Sequence, residues 1–319
     1  MLPFWTSIAV LSLAQGALVA VPGSLRAPGL ARLSGRRWAA IPPASVIGFV
    51  LVAGAAERAS AQGLTYLALC AVPLLAALAL GWLSFDAGPA RPLRALLVPP
   101  LFLLAWLDRG GLWGEGAALV LSALSCVTLG VLLAAVTPPR WLAGGIVAMA
   151  VADTALVVSE QLQRPNNALN AAHPAAGLPR LQSAIFGSAA MGYGDLFVAA
   201  ALGALLAVTA GRSLQLRAAA LAALLALGFD LLYFLVDELP ATVPVALTLL
   251  ILLAARRWRP SRSAAPSRVP EAPAPDRGLP AAGPPAPARA PDDGSRSTCP
   301  PARSRRRRGA SAGPAAAPR

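Results

Sequence analysis

Long apolar runs, broken by Arg, Pro, Gly and acidic residues, fill the chain as far as Ala255. Nine can be counted: Leu2–Val21, Ala40–Ala55, Gly63–Leu83, Leu93–Leu107, Gly116–Val136, Trp141–Gln161, Leu181–Val208, Arg217–Val236 and Pro240–Ala255. Crossing the hydrocarbon core of a bilayer takes about 20 helical residues, with a working range of about 17–25. Most of the runs meet that length and predict transmembrane helices. The second, fourth and ninth are short, and the fourth carries Pro99 and Pro100. Eight spans is therefore the alternative count, and it moves one terminus to the other side. The expected fold is all-α: a polytopic transmembrane helix bundle of about nine spans. Residues 1–140 form the N-terminal helices (about five spans) and 141–256 the C-terminal ones. Residues 257–319 form a tail without apolar periodicity, too poor in hydrophobic surface to offset the entropy of ordering.

Composition sharpens this picture in one respect. Of 319 residues, 56% are hydrophobic and 13% charged, about half the charged share of a soluble domain. The formal charge is +13, yet the segment from Arg256 onward holds 14 basic and 4 acidic residues, so +10 of it belongs to the tail. The body is nearly neutral, so the charge does not argue for a nucleic-acid partner. The Arg305–Arg308 run could touch anionic lipid, although a solvated basic tail with no specific partner accounts for it better. All basic residues are Arg, which fits a GC-rich codon usage. Cys70, Cys126 and Cys299 are too few and too scattered for a disulfide framework or metal site. The single histidine, His173, lies in a polar loop. No metal and no cofactor is expected.

Loop arginines set the orientation. With nine spans, Arg26, Arg32, Arg36, Arg37, Arg91, Arg94, Arg140, Arg212, Arg217 and the tail fall on one side. Only Arg58, Arg109, Arg164 and Arg180 fall on the other. The first side is expected to be cytoplasmic, giving an outside N-terminus, an inside C-terminus and an outside Arg164–Arg180 loop. The plasma (cytoplasmic) membrane is the expected location. The first run lacks the basic flank of a signal peptide, so it is expected to be a retained helix.

Chemistry rests on the acids inside the runs, because an ionisable side chain at membrane depth is costly and marks function by default. Asp153, Asp195 and Asp230 qualify. Asp153 lies twelve residues after Trp141 and Asp195 fourteen after Leu181. At about 1.5 Å per residue, each is roughly 18–21 Å into its run. Consecutive helices joined by one loop run antiparallel and are usually neighbours, so the two carboxyls can meet near the bilayer centre. Two close carboxyls do not both ionise readily. The charged one serves as general base on water, and the neutral one protonates the carbonyl. The local sequence Met191-Gly192-Tyr193-Gly194-Asp195 adds two glycines, which permit close approach of a helix or an extended substrate. At the end of the bundle, Leu239-Pro240-Ala241-Thr242-Val243-Pro244 is expected to expose unpaired backbone groups that could hold a substrate strand.

The Gly192-Tyr193-Gly194-Asp195 motif, the aspartate in the preceding helix, the nine spans and the late Pro-Ala element together resemble the presenilin and signal peptide peptidase family of intramembrane aspartyl proteases. The resemblance covers about Trp141 to Ala255. It implies that Asp153 and Asp195 are the catalytic pair and that Gly192, Gly194, Pro240 and Ala241 contribute to substrate binding. It further implies that the substrate is a transmembrane or signal-peptide-like segment of another protein, met within the lipid bilayer. Two positions depart from the family: Ala152 stands where it has Tyr, and Thr242 where it has Leu. Oligomeric state is not readable from the sequence.

Three other readings compete. A proton- or ion-coupled transporter would use Asp153, Asp195 and Asp230, with Asp237 and Glu238 nearby, but no internal repeat is visible. A prepilin-type aspartyl peptidase also uses two aspartates and a Gly-x-Gly-Asp motif. That family usually has Lys where this chain has Phe197, and many of its members carry a paired-cysteine element that is absent here. A potassium-channel filter would need a threonine where Ala190 stands, on a re-entrant loop.

Overall fold

The computed structural model describes residues 3–25, 28–55, 57–83, 91–161, 163, 167, 171–172, 177–236 and 239–257. The expected tail beyond Arg257, most of the Arg164–Arg180 loop, and Asp237 and Glu238 lie outside the described residues. Among those described, nine helices of ten residues or more fall in the nine apolar runs. They are α1 Phe4–Ala20, α2 Ile41–Ala55, α3 Glu57–Leu78, α4 Val98–Leu107, α5 Leu112–Val136, α6 Pro139–Val158, α7 Tyr193–Thr209, α8 Arg212–Asp230 and α9 Val243–Arg257. Four stretches, Ala61–Leu83, Leu112–Val136, Pro139–Val158 and Arg212–Phe234, are long and apolar enough to cross a membrane. The other five helices run from 10 to 17 residues.

The seventh run corrects the all-α expectation. It is not one helix from Leu181 to Val208. Its first part is a β-hairpin, β1 Ser183–Phe186 and β2 Ala189–Gly192, paired antiparallel with Ser183 opposite Gly192 and Phe186 opposite Ala189. The two-residue turn is Gly187-Ser188, and Gly187 adopts φ 60°. That left-handed conformation suits glycine, and it matches the twist a tight hairpin requires. The Gly187 N–H donates to Glu115 Oε2 at 2.6 Å, and the Ser188 N–H donates to Ser7 Oγ at 3.2 Å. Side chains of α5 and α1 therefore satisfy the turn's donors, which lipid could not do. Asp195 is consequently the third residue of α7 rather than a mid-helix residue.

Helix ends elsewhere follow ordinary rules. Asp108 Oδ2 accepts the Gly114 N–H at 2.9 Å, satisfying one of the donors that the first turn of α5 leaves without an intrahelical partner. Extended Thr137 and Pro138 separate α5 from α6, and Pro139 opens α6 where its missing N–H is harmless. This short link turns the chain sharply between α5 and α6.

Helix α7 is the centre of the bundle: every residue from Leu196 to Leu206 is buried. It packs against α1, α5, α6, α8 and α9. Two glycines set the closest approaches. A Cβ on Gly130 of α5 would stand 2.7 Å from the Ala200 carbonyl carbon, and one on Gly203 would stand 2.5 Å from the Val19 carbonyl oxygen of α1. Residues 125–130 of α5 meet 193–201 of α7 in the same sense, so those two helices are parallel. Helix α6 meets the first turn of α7 through Met149 and Gly194, so the two aspartate-bearing segments are neighbours.

Candidate active site

The four-residue motif divides its work among neighbouring elements. Gly192 ends β2 and precedes α7 in extended backbone. Its N–H donates to Asp195 Oδ2 at 3.1 Å. An acid in the third helical position reaching back to the residue before the helix is one half of a capping box. The capping arrangement fixes the Asp195 carboxyl over the first turn, leaving the side chain partly exposed. A Cβ on Gly192 would sit 3.0 Å from that same oxygen, so the glycine leaves the carboxyl its place. Tyr193 is an anchor. Its hydroxyl lies 2.7 Å from Ser125 Oγ on α5, and its carbonyl lies 3.8 Å from Cys126 Sγ. Gly194 faces α6, where a Cβ would meet Met149 Cε at 3.5 Å.

Met149 lies one helical turn before Asp153, so the glycine contact brings α7 onto the face of α6 that carries the second acid. Asp153 is buried, at 8% exposure, and lies within electrostatic reach of Asp195. The structure therefore brings together the two residues singled out by sequence. Neither is at a helix midpoint. Asp153 is five residues from the end of α6 and Asp195 two from the start of α7. The pair lies where the C-terminal part of α6 meets the first turn of α7.

A third residue completes the site, one that the sequence marks only as a departure from the resembled family. Thr242, fully buried just before α9, donates from Oγ1 to Asp153 Oδ2 at 2.7 Å. Pro240 and Ala241 lead into it, but their carbonyls are not the unpaired groups expected. The Pro240 carbonyl accepts the Val243 N–H at 3.1 Å, the Ala241 carbonyl accepts Gln15 Nε2 at 2.7 Å, and the Thr242 carbonyl accepts the Ala246 N–H at 3.1 Å. The Pro-Ala segment is thus held from α1 by Gln15, itself buried. No sequence signal singled out Gln15, Ser125 or Glu115; each is a polar residue in an apolar run, which is the trace such a role leaves.

Asp230 belongs elsewhere. It is the last residue of α8, and Ser12 Oγ of α1 donates to its Oδ2 at 2.6 Å. Beyond it, Phe4 packs edge-on against Tyr233 and Trp5 stacks on Phe234 at 4.5 Å. These contacts pin the end of α8 to α1. Among the described residues no three histidine, cysteine or acidic side chains converge as a metal site requires. No protein-family model, curated protein or solved structure matches the chain.

Proposed function

We propose that the chain is an intramembrane aspartic peptidase of the presenilin and signal peptide peptidase type, hydrolysing peptide bonds in transmembrane segments of other proteins. The observation that carries this reading is that Asp153 and Asp195, on neighbouring helices, lie within electrostatic reach of each other in an otherwise apolar bundle. One carboxyl is ionised and takes a proton from water as the water oxygen adds to the scissile carbonyl carbon. The other gives its proton to the carbonyl oxygen, so a neutral gem-diol forms. The first then passes its new proton to the amide nitrogen as the C–N bond breaks. The second recovers a proton from the diol, which leaves a carboxylic acid and an amine with both aspartates restored. Gly192 and Gly194 keep side-chain bulk away from this chemistry. The Pro240–Ala241 segment, which leads into Thr242 beside Asp153, helps seat the substrate, and the hairpin that ends at Gly192 can align an extended segment as an added strand. A span must unwind to present its peptide bond, and a strand edge supplies replacement hydrogen bonds.

A prepilin-type peptidase is the second reading, favoured by one observation: the pair lies near the end of α6 and α7, suited to a scissile bond close to the membrane face. Sidedness separates the two. The loop arginines put that end outside, whereas a substrate cut on the cytoplasmic face would need the opposite orientation.

The test is cleavage of a single-span substrate by the purified protein in lipid, beside Asp153→Asn and Asp195→Asn. Cleavage abolished in both folded variants establishes the peptidase and its pair, and the cut position separates the two readings. Cleavage that survives either substitution, or none across a varied substrate panel, refutes it and turns attention to proton-coupled transport.

A further inference from the structure

The two aspartates do not sit in equivalent surroundings. Asp195 is held by a main-chain N–H from its own helix entry. Asp153 is held from a distant segment by Thr242, just before α9 and 89 residues along the chain, whose hydroxyl donates to Oδ2 and whose main chain also acts on the carboxyl. On the basis of the peptidase reading above, we propose that Thr242 is a positioning residue for the reaction. It holds Asp153 Oδ2 so that the other oxygen, Oδ1, is the one turned to water and to the Asp195 carboxyl.

Three features support this. The Oγ1–Oδ2 separation of 2.7 Å is that of a well-formed O–H···O bond. Thr242 is fully buried, so water does not compete for its hydroxyl. Its backbone is fixed on both sides: Gln15 holds the Ala241 carbonyl, and the Thr242 carbonyl begins α9. A carboxyl at the end of a free side chain rotates about its last torsion, which is broad and two-fold. A hydroxyl anchored between α1 and α9 removes that freedom at Oδ2, and the Thr242 main chain acts on the same carboxyl beside it. Asp153 thereby acquires a defined inner and outer oxygen, which a base acting on one water molecule needs. Leucine at this position, as in the resembled family, could pack but could not do this.

Thr242→Ser keeps the hydroxyl, whereas Thr242→Val and Thr242→Ala remove it, Val with nearly the same volume. In the cleavage assay the expected result is a fall in kcat of about ten- to a hundred-fold for Val and Ala, the range for losing a hydrogen bond to a charged group. KM should stay within about two-fold, and Ser should restore kcat to within about three-fold of the parent on the same scale. A second measurement needs no substrate. The infrared carboxyl band that disappears in Asp153→Asn should move to a different frequency in Thr242→Val and Thr242→Ala and stay in place in Thr242→Ser. Unchanged kcat in Thr242→Ala with active parent protein, or an unmoved band, overturns the inference and leaves the peptidase reading standing. A band that moves as expected in a protein that cleaves nothing overturns the peptidase reading, and the catalytic role of Thr242 with it.

Discussion

Replacing Gly203 by Ala tests how tightly the centre of the bundle is held. A methyl there would stand 2.5 Å from the Val19 carbonyl oxygen, 2.8 Å from the Leu18 carbonyl oxygen and 2.9 Å from Pro22 Cγ. Two of these are backbone atoms of α1, so no side-chain rotation relieves the overlap. Heavy atoms settle at about 3.5–4.0 Å, so α1 and α7 must part by roughly 1 Å. Overpacking of this kind costs about 1–3 kcal/mol. Gly144, on the exposed face of α6, is the control, since a methyl there meets nothing within 4 Å. Gly144→Ala should gain about 0.5–1 kcal/mol from helix propensity. The two substitutions are chemically identical and share the propensity gain, so Gly203→Ala should be less stable than Gly144→Ala by about 1–3 kcal/mol, the cost of overpacking alone. Unfolding of the purified proteins in mixed micelles reads the difference. Because α7 carries Asp195, Gly203→Ala should also slow cleavage, where a misplacement of about 1 Å can cost up to a hundred-fold. Equal stability of the two variants would refute both the close α1–α7 approach and the central place of α7.

Other perturbations probe the supports of the site. Tyr193→Phe removes the hydroxyl that meets Ser125 and should destabilise the protein by about 0.6 kcal/mol, the average for side-chain hydrogen bonds between membrane helices; micellar unfolding measures it, and a change above about 2 kcal/mol would contradict it. Glu115→Gln leaves an acceptor near the Gly187 N–H but removes its charge. Amide hydrogen exchange at the hairpin turn should quicken by about ten-fold or less, whereas Glu115→Ala should quicken it by more, since it leaves the donor unpaired. Asp230→Asn should leave cleavage within about three-fold of the parent, because Asp230 bonds Ser12 and not the catalytic pair; loss of activity on the scale of Asp153→Asn would return Asp230 to the mechanism.

Much of this arrangement was legible in the chain. Apolar runs locate helices because the helix is the cheapest way to satisfy backbone groups in an apolar setting, and all nine runs contain one. Asp153 and Asp195 stood out because charge is rare in such runs. The hairpin was not seen, although the Gly187-Ser188 pair is a two-residue turn signal. Both of its strands are apolar and lead without a break into α7, so hydropathy alone merges them with the helix. The role of Thr242 is hidden in the sequence, where it shows only as a polar residue in place of leucine. Its partner is 89 residues away, and no local pattern announces a hydrogen bond across that separation. The same holds for Gln15, whose partner carbonyl is 226 residues along the chain.

The 17 residues of α7 give it a length of about 25 Å, against about 30 Å for an ordinary hydrocarbon core. The helix carrying Asp195 therefore stops about 5 Å short, and the hairpin fills the gap with main chain whose polar groups lipid cannot match. Lipid does not meet that main chain, because α7 is buried from Leu196 to Leu206 and Glu115 and Ser7 take the donors of the hairpin turn. In a bilayer, as proposed, the depth of the Asp195 carboxyl is then set by the neighbouring helices α5 and α1 and not by the length of the acyl chains.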